Sequence, residues 1–507
     1  TRLKRSMDAF AGAREDSYAA ERGGRQAWCA QRSKKHRALR RVSPHHSQQA
    51  RIDRRQQLHI NLRRQRAKNK EQCTPLQPAA MKVKVIARSA KREINGADPK
   101  LARRNLDPKH HPFAAAREYQ RAVVAAKLDR MMAKPFVCAL EGHSDALTAL
   151  AVPRRGVLVQ CVSGGADGEV RAWDLAARQC VWSSGAAHVG AVKGLTLTRD
   201  GTDVLSCGER QIKRWRLEVA QSTGQRTQIT LNEAKPPLET WTSSTSLNDV
   251  DASWARKTAG AFCTAGADGL VELWDAQRSQ PLRTWTWGSD SVFKCRWNPA
   301  EPSLLASTSR DRAATLFDSR APTPLRKVIL RSPCRALAWN PREPTCFVVG
   351  GEDHACYTFD CRKLQRPRMV HEGHVSAVVD VAFAPTGKEF AAASTDKTVR
   401  LFPSRGADAG RSRDVYHTSR MQALSSVRYT ADATFVLTAS EDFNLRVWKA
   451  RASQRLGPIS RREALAVDYR AKLVERHAHM PQVKRLVRRR NLPKMVKKLR
   501  DRRDEER

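Results

Sequence analysis

Between Gly142 and Lys449 one polar–apolar pattern recurs seven times: a small or hydroxyl-bearing segment, an acidic residue, an alternating run with β-branched residues, and an aromatic. The copies read SGGADGEVRAWD (163–174), SCGERQIKRWRL (206–217), TAGADGLVELWD (264–275), STSRDRAATLFD (307–318), VGGEDHACYTFD (349–360), ASTDKTVRLF (393–402) and TASEDFNLRVWK (438–449). The aromatics are Trp173, Trp215, Trp274, Phe317, Phe359, Phe402 and Trp448, spaced by 42, 59, 43, 42, 43 and 46 residues. Six residues ahead of each stands an acid: Asp167, Glu209, Asp268, Asp311, Asp353, Asp396 and Asp442. Acids number only 51 in 507 residues, so the same offset in all seven copies is a repeat and not coincidence. The alternation after the acid, as in Val170 and Ala172 or Val399 and Leu401, predicts strands with one face turned inward. The acid falls where two strands must turn, a position that suits Asp and Gly.

A period of about 40–45 residues with this ending is the WD40 signature, in which each repeat supplies four strands of one propeller blade. Gly142-His143 and Gly373-His374 precede the first and sixth copies, and Ala187-His188 the second. The resemblance implies that His143, His188 and His374 bond the turn acid and tie their blades together. Closing the ring leaves no long free edge. The expected fold class is therefore all-β, a seven-bladed WD40 β-propeller over 141–450, with basic helical extensions on both sides.

The flanks have other patterns. Residues 1–80, rich in Arg, Gln, Ser and Ala, bury too little apolar surface to fold alone and read as a disordered basic leader. Residues 81–140 form an N-terminal extension, with a strand-like run at Lys82–Ile86 and one helix from Phe113 to Met132. Pro112 suits the helix start, Lys134-Pro135 stops it, and Tyr119, Val123, Val124, Leu128 and Met131 form its apolar stripe. QSTGQRTQITLNEAKPP (221–237) reads as a polar loop and explains the 59-residue interval. In 451–507, Ser460 and Glu463 make a capping box, followed by an apolar edge at Leu465, Tyr469 and Leu473. Pro481 and Pro493 divide the remainder into short helices, with Val483, Leu486 and Val487 opposite Lys484, Arg485, Arg488, Arg489 and Arg490.

Charge sharpens this division. The net charge is +42, of which residues 1–80 carry +14, 81–140 +9, 141–450 only +7, and 451–507 +12. Basic ends imply a polyanionic partner, most often nucleic acid. Lys484, Arg485, Arg488, Arg489, Arg490, Lys497 and Lys498 are the candidate contacts to RNA or an acidic partner, and a solvated tail is the alternative. The 12 cysteines include no C-x-x-C and fit a reducing compartment. No 18-residue apolar run or signal-peptide core is visible, which argues against a membrane partner. No phosphate-binding loop, dinucleotide fingerprint or H-E-x-x-H occurs. In His371-Glu372-Gly373-His374, His374 reads as the blade histidine and His371 as a surface neighbour; Cys356 and Cys361 lack a second ligand pair. Neither a catalytic or metal site nor a cofactor is expected.

Outside the repeats, M-K-V-K at Met81, RRNLDPKHHPFAAAREYQRAVVAAKLDRMMAKPF (103–136) and LGPISRREALAVDYRAKLVERHAHMPQVKRLVRRRNLPK (456–494) resemble the WD repeat and SOF domain-containing family. The resemblance runs from about Met81 to Arg500, which marks 1–80 as an appended or mistranslated leader. Departures are Glu209 in the second blade and missing Gly-His pairs in blades three to five. The resemblance implies a non-catalytic scaffold of the nucleolar small-subunit processome and U3 small nucleolar ribonucleoprotein, serving pre-18S rRNA processing. Its partners would be pre-rRNA, U3 or other processome RNA and processome proteins, met as a monomer within a large nuclear assembly. Asp318-Ser319-Arg320 and Asp360-Cys361-Arg362 resemble the D-x-R box of cullin-4 RING ligase receptors, with Phe317 and Phe359 for the usual Trp. A ligase adaptor is thus the alternative partner, and ordinary exposed strand-end arginines the plainer reading.

Overall fold

Each copy of the repeat folds into the second and third strands of a four-stranded antiparallel sheet, with the acid in the turn between them. A computed structural model describes residues 113–154, 160–217, 236–254, 260–286, 288, 290–406, 409–489 and 491–505. All belong to one compact unit, Leu106–Arg507; the other unit, Thr1–Asn105, lies outside the described residues, as do the strand-like run Lys82–Ile86 and most of the loop 221–237. Among the described residues 28 strands, β1 to β28 in chain order, form seven sheets of four. In the first blade β2 (Leu147–Ala151) lies innermost, followed outward by β3 (Gln160–Gly165), β4 (Glu169–Asp174) and β5 (Gln179–Ala186). Innermost strands of successive blades pack side by side around the ring.

The ring closes by borrowing. In the seventh blade β26 (Leu424–Tyr429), β27 (Phe435–Ser440) and β28 (Leu445–Lys449) come from the end of the repeat region. The fourth strand is β1 (Phe136–Leu140), paired antiparallel to β28. The propeller therefore takes in residues ahead of the boundary at 141 that the repeats suggest. This pairing links the two ends of the propeller and covers the edge of β28.

The repeat aromatics fill the gaps between blades. Trp173 packs with Leu140, Leu437, Leu445 and Val447 of the seventh blade, and Trp448 with Ala391, Val399 and Leu401 of the sixth. Phe402 reaches Val348 and Cys356 of the fifth. Cys161, Cys207 and Cys263 are buried in blade strands, where a thiol acts as a small apolar group.

Among the described residues four helices flank the ring: α1 (Ala114–Met131), α2 (Arg461–Arg476), α3 (Pro481–Arg488) and α4 (Lys494–Glu505). None of the described helices is long and apolar enough to cross a membrane. The face that α1 buries differs from the expected stripe. Ala122, Ala125 and Ala126 are buried, whereas Val124 and Met131 are 53% and 69% exposed. Small side chains let α2 and α3 approach closely, so Ala122 meets Leu473 and Val483, with Tyr119 and Val123 at the margin. On α2, Leu473 is buried but Leu465 and Tyr469 are exposed, so the expected apolar edge is covered only at its C-terminal end. Ser460 caps α2 by accepting from the Glu463 amide at 3.3 Å. The Arg130 guanidinium donates to the carbonyls of Leu486 (3.3 Å) and Val487 (2.5 Å), satisfying the last turn of α3.

Candidate functional site

The turn acids act first on their own backbone. Asp167, Asp268, Asp311, Asp353 and Asp396 each accept the amide two residues on, at 3.1, 3.3, 3.1, 3.4 and 2.9 Å. The intervening residues Gly168, Gly269, Arg312, His354 and Lys397 all have positive φ, as does Phe443 after Asp442. A side chain of aspartate length closes this turn. Glu209, one methylene longer, makes no such bond among the described residues.

A second layer of bonds ties these turns to the blades. His143 Nδ1 lies 3.1 Å from Asp167, its Nε2 lies 2.8 Å from Ser163 Oγ, and Trp173 Nε1–H donates to the same hydroxyl at 2.7 Å. His374 Nδ1 lies 3.1 Å from the buried Asp396. His188 instead meets Ser206 at 2.7 Å, and that hydroxyl accepts from Trp215. Three blades without a leading histidine use other donors. Arg446 binds Ser440 and Asp442, Lys327 Nζ reaches Asp311 at 2.9 Å, and the Tyr357 hydroxyl reaches Asp353 at 2.5 Å. Trp274 and Trp448 donate to Thr264 and Thr438. His371 is not a surface neighbour: it is 1% exposed, bonded to Thr358 and the Ala409 carbonyl, because the short strand Met369–His371 turns it onto Phe390 and Phe402.

Burial pushes His143, His188, His371 and His374 below the ordinary imidazole range, His188 to about 4 with Lys213 adding to the effect. Burial alone would raise the Asp396 carboxyl, but His374 and Thr398 outweigh it and hold it at about 2. His143, Asp167 and Glu169 stand close enough to suggest a cation site. His143 and Asp167 are committed to each other, and Glu169 binds Arg171 at 2.7 Å, so the group is structural. Asp167→Ala should cost about 1–3 kcal/mol, since buried His143 and the turn amides lose their acceptor. A chemical-denaturation midpoint equal to the parent's would refute that pairing.

Toward the channel, carboxylates on innermost strands reach the next blade. Asp249 on β10 (Leu247–Ala252) binds Arg296 on β14 (Val292–Trp297) at 2.5 Å. Asp380 on β22 (Val378–Phe383) accepts from Ser426 Oγ (2.6 Å), the Val427 amide (3.0 Å) and Arg428 (2.7 Å) on β26. Burial would raise the Asp380 carboxyl, but Arg428 and its neighbours hold it below the usual range.

At the opposite strand ends, Asp318 and Asp360 accept the backbone N–H of Arg320 (3.0 Å) and Arg362 (3.1 Å), leaving both arginines exposed. In the C-terminal segment Val483 and Val496 are buried, while Lys484, Arg485, Arg488, Arg489, Lys497 and Lys498 are exposed. Arg490 lies outside the described residues.

Residues 450–507 match the Sof1-like domain, and residues 134–174, 365–402 and 415–449 match the WD domain, G-beta repeat. The protein from Gallus gallus named DDB1- and CUL4-associated factor 13 is 45% identical over 419 residues, which cover 82% of this chain and 90% of that one. The chain belongs to the DDB1- and CUL4-associated factor 13 family. The Homo sapiens member is 43% identical over 420 residues, with the same coverages, and the Dictyostelium discoideum member 40% over 427, covering 83% and 91%. The WD40 β-propeller domain of Doa1 matches in fold alone, with a TM-score of 0.50 at 16% identity, covering 62% of this chain and 96% of that one. The Sof1-like domain thus corresponds to the segment that folds as α2 and α3 against α1, followed by α4. Sequence reading missed the Asp249 and Asp380 pairs. Their only sequence signal is an acid inside an otherwise apolar strand, at Asp249 in LNDVDA and Asp380 in VVDVAF.

Proposed function

We propose that this protein is a non-catalytic scaffold of the nucleolar small-subunit processome, associated with U3 small nucleolar ribonucleoprotein and pre-18S rRNA processing. The observation that carries the reading is the basic Sof1-like segment, held to α1 by Ala122, Leu473 and Val483 while Lys484, Arg485, Arg488 and Arg489 face outward. Such a surface suits phosphate contacts, which position an RNA without reading its sequence. The propeller faces then serve partner proteins. Full-length tagged protein should co-sediment with particles that carry precursor small-subunit rRNA and U3 RNA, in the nucleolus. Recovery only in light, RNA-free fractions would refute the reading.

A second reading, receptor of a cullin-4 ligase, is favoured by the relatives' names and by the exposed Arg320 and Arg362. Arg320→Ala combined with Arg362→Ala should abolish co-purification of the ligase adaptor while pre-ribosome association survives. Undiminished adaptor recovery would leave both as ordinary surface charges.

A further inference from the structure

The outer edge of blades four and five carries a groove of about 1040 Å³, of which the ligase reading uses only the rim residue Arg362. One wall is β17 (Pro324–Ile329), the outermost strand of blade four; the other is the segment 360–368, after β20 (Cys356–Asp360) of blade five. Arg326 fixes the walls together by donating to the carbonyl oxygens of Arg362 (2.9 Å) and Cys361 (3.4 Å). Two flanking cations are neutralised, Lys327 by Asp311 and Arg368 by Glu343. Arg362, Lys363 and Arg366 are not: among the described residues no carboxylate lies within ion-pair distance of them. The one acid lining the groove, Asp360, accepts the Arg362 amide and is spent on the turn.

This concentration is notable because 141–450 carries a net charge of only +7. We propose that the groove is a phosphate-backbone site for RNA, separate from the basic tail, and that it reads no bases. The lining explains the choice of ligand. A protein partner of comparable strength would need a central aromatic or apolar pocket. Here no aromatic lines the groove, Leu364 is buried in the blade core, and the one prominent apolar side chain on its walls, Ile329, stands 72% exposed on a strand end and encloses no pocket. The same lack of aromatics removes the stacking platform that single-strand readers use. Beside Val328 and Ile329, the groove presents point charge along an open channel, which counterion release converts into salt-dependent affinity. The inference rests on the reading that the protein works on RNA, but it is tested on purified protein without pre-ribosomes.

The full-length Lys363→Glu/Arg366→Glu variant should bind a labelled single-stranded RNA about tenfold more weakly at moderate salt. Its log–log salt slope should flatten by about 1.4, for two lost contacts at about 0.7 each. The loss should be the same for unrelated RNA sequences and should add to that of Lys484→Ala/Arg485→Ala in the tail. An affinity within twofold of the parent with an unchanged slope overturns the proposal, as does intact RNA binding with diminished ligase-adaptor recovery, which would make the groove a protein surface. Loss of RNA affinity with co-sedimentation retained supports the groove and tells against the processome reading alone. An unchanged melting temperature excludes misfolding, and Lys363→Gln/Arg366→Gln, with no added repulsion, should give a smaller loss in the same direction.

Discussion

Replacing Asp380 by alanine should lower the stability of the protein by about 3–5 kcal/mol, the magnitude reached when one partner of a buried ion pair is removed. Asp380 is 1% exposed and serves three donors of the next blade, Ser426, the Val427 amide and Arg428. Truncation leaves a buried backbone N–H without its acceptor and a guanidinium without its counter-charge. Asp380→Asn keeps an acceptor but removes the charge, so it should cost less than alanine. The double variant Asp380→Ala/Arg428→Ala should be less damaged than the sum of the two single ones, because the stranded charge goes with its partner. Equilibrium unfolding in urea reads all of these. A loss under about 1 kcal/mol for Asp380→Ala would mean that Arg428 is rescued by channel water and that the strand-to-strand link is unimportant.

The difference between what the sequence tells and what it hides has a physical basis. The blades are legible because each must solve the same local problem, a tight turn between strands, and five of them solve it with the same bond. Aspartate accepts the amide two residues on, and the next residue adopts positive φ. Local, repeated constraints leave a period in the chain. The substitutes for the leading histidine are not periodic, because any nearby donor will serve: Arg446 in one blade, Lys327 in another, Tyr357 in a third. The buried face of α1 was obscured for the opposite reason. Apolar size favours Val124 and Met131, but the partners α2 and α3 come from residues more than 300 positions away and select the alanines that let them approach.

The functional surfaces divide in the same way. Basic clustering in the tail is visible as composition. The groove at Arg362, Lys363 and Arg366 is not, because its second wall, β17, comes from the preceding blade. The pair-by-pair cancellation of Lys327 and Arg368, which leaves Arg362, Lys363 and Arg366 without a carboxylate partner among the described residues, also exists only in three dimensions.

Acidification from pH 7 to pH 5 should destabilise the propeller, with His188 alone contributing about 2 kcal/mol of the loss. The direction follows from the shift. Burial and Lys213 hold the folded imidazole at about 4, whereas an unfolded chain titrates near the usual value of about 6.5. The unfolded state therefore takes up the proton first. The stability due to the neutral ring is complete above about pH 6.5 and is lost as pH falls toward 4. His143, His371 and His374 shift in the same direction, so their contributions reinforce it. Asp396 extends the decline: its depressed carboxyl stabilises above the unfolded aspartate range, and that share disappears as pH drops through about 2. His188→Gln isolates one contribution, since its side-chain amide can keep a hydrogen bond to Ser206 and cannot titrate. Measured by denaturant unfolding at both pH values, this variant should lose about 2 kcal/mol less than the parent on going from pH 7 to pH 5. Equal losses in variant and parent would show that His188 gains a proton acceptor in the folded state and does not drive the acid sensitivity.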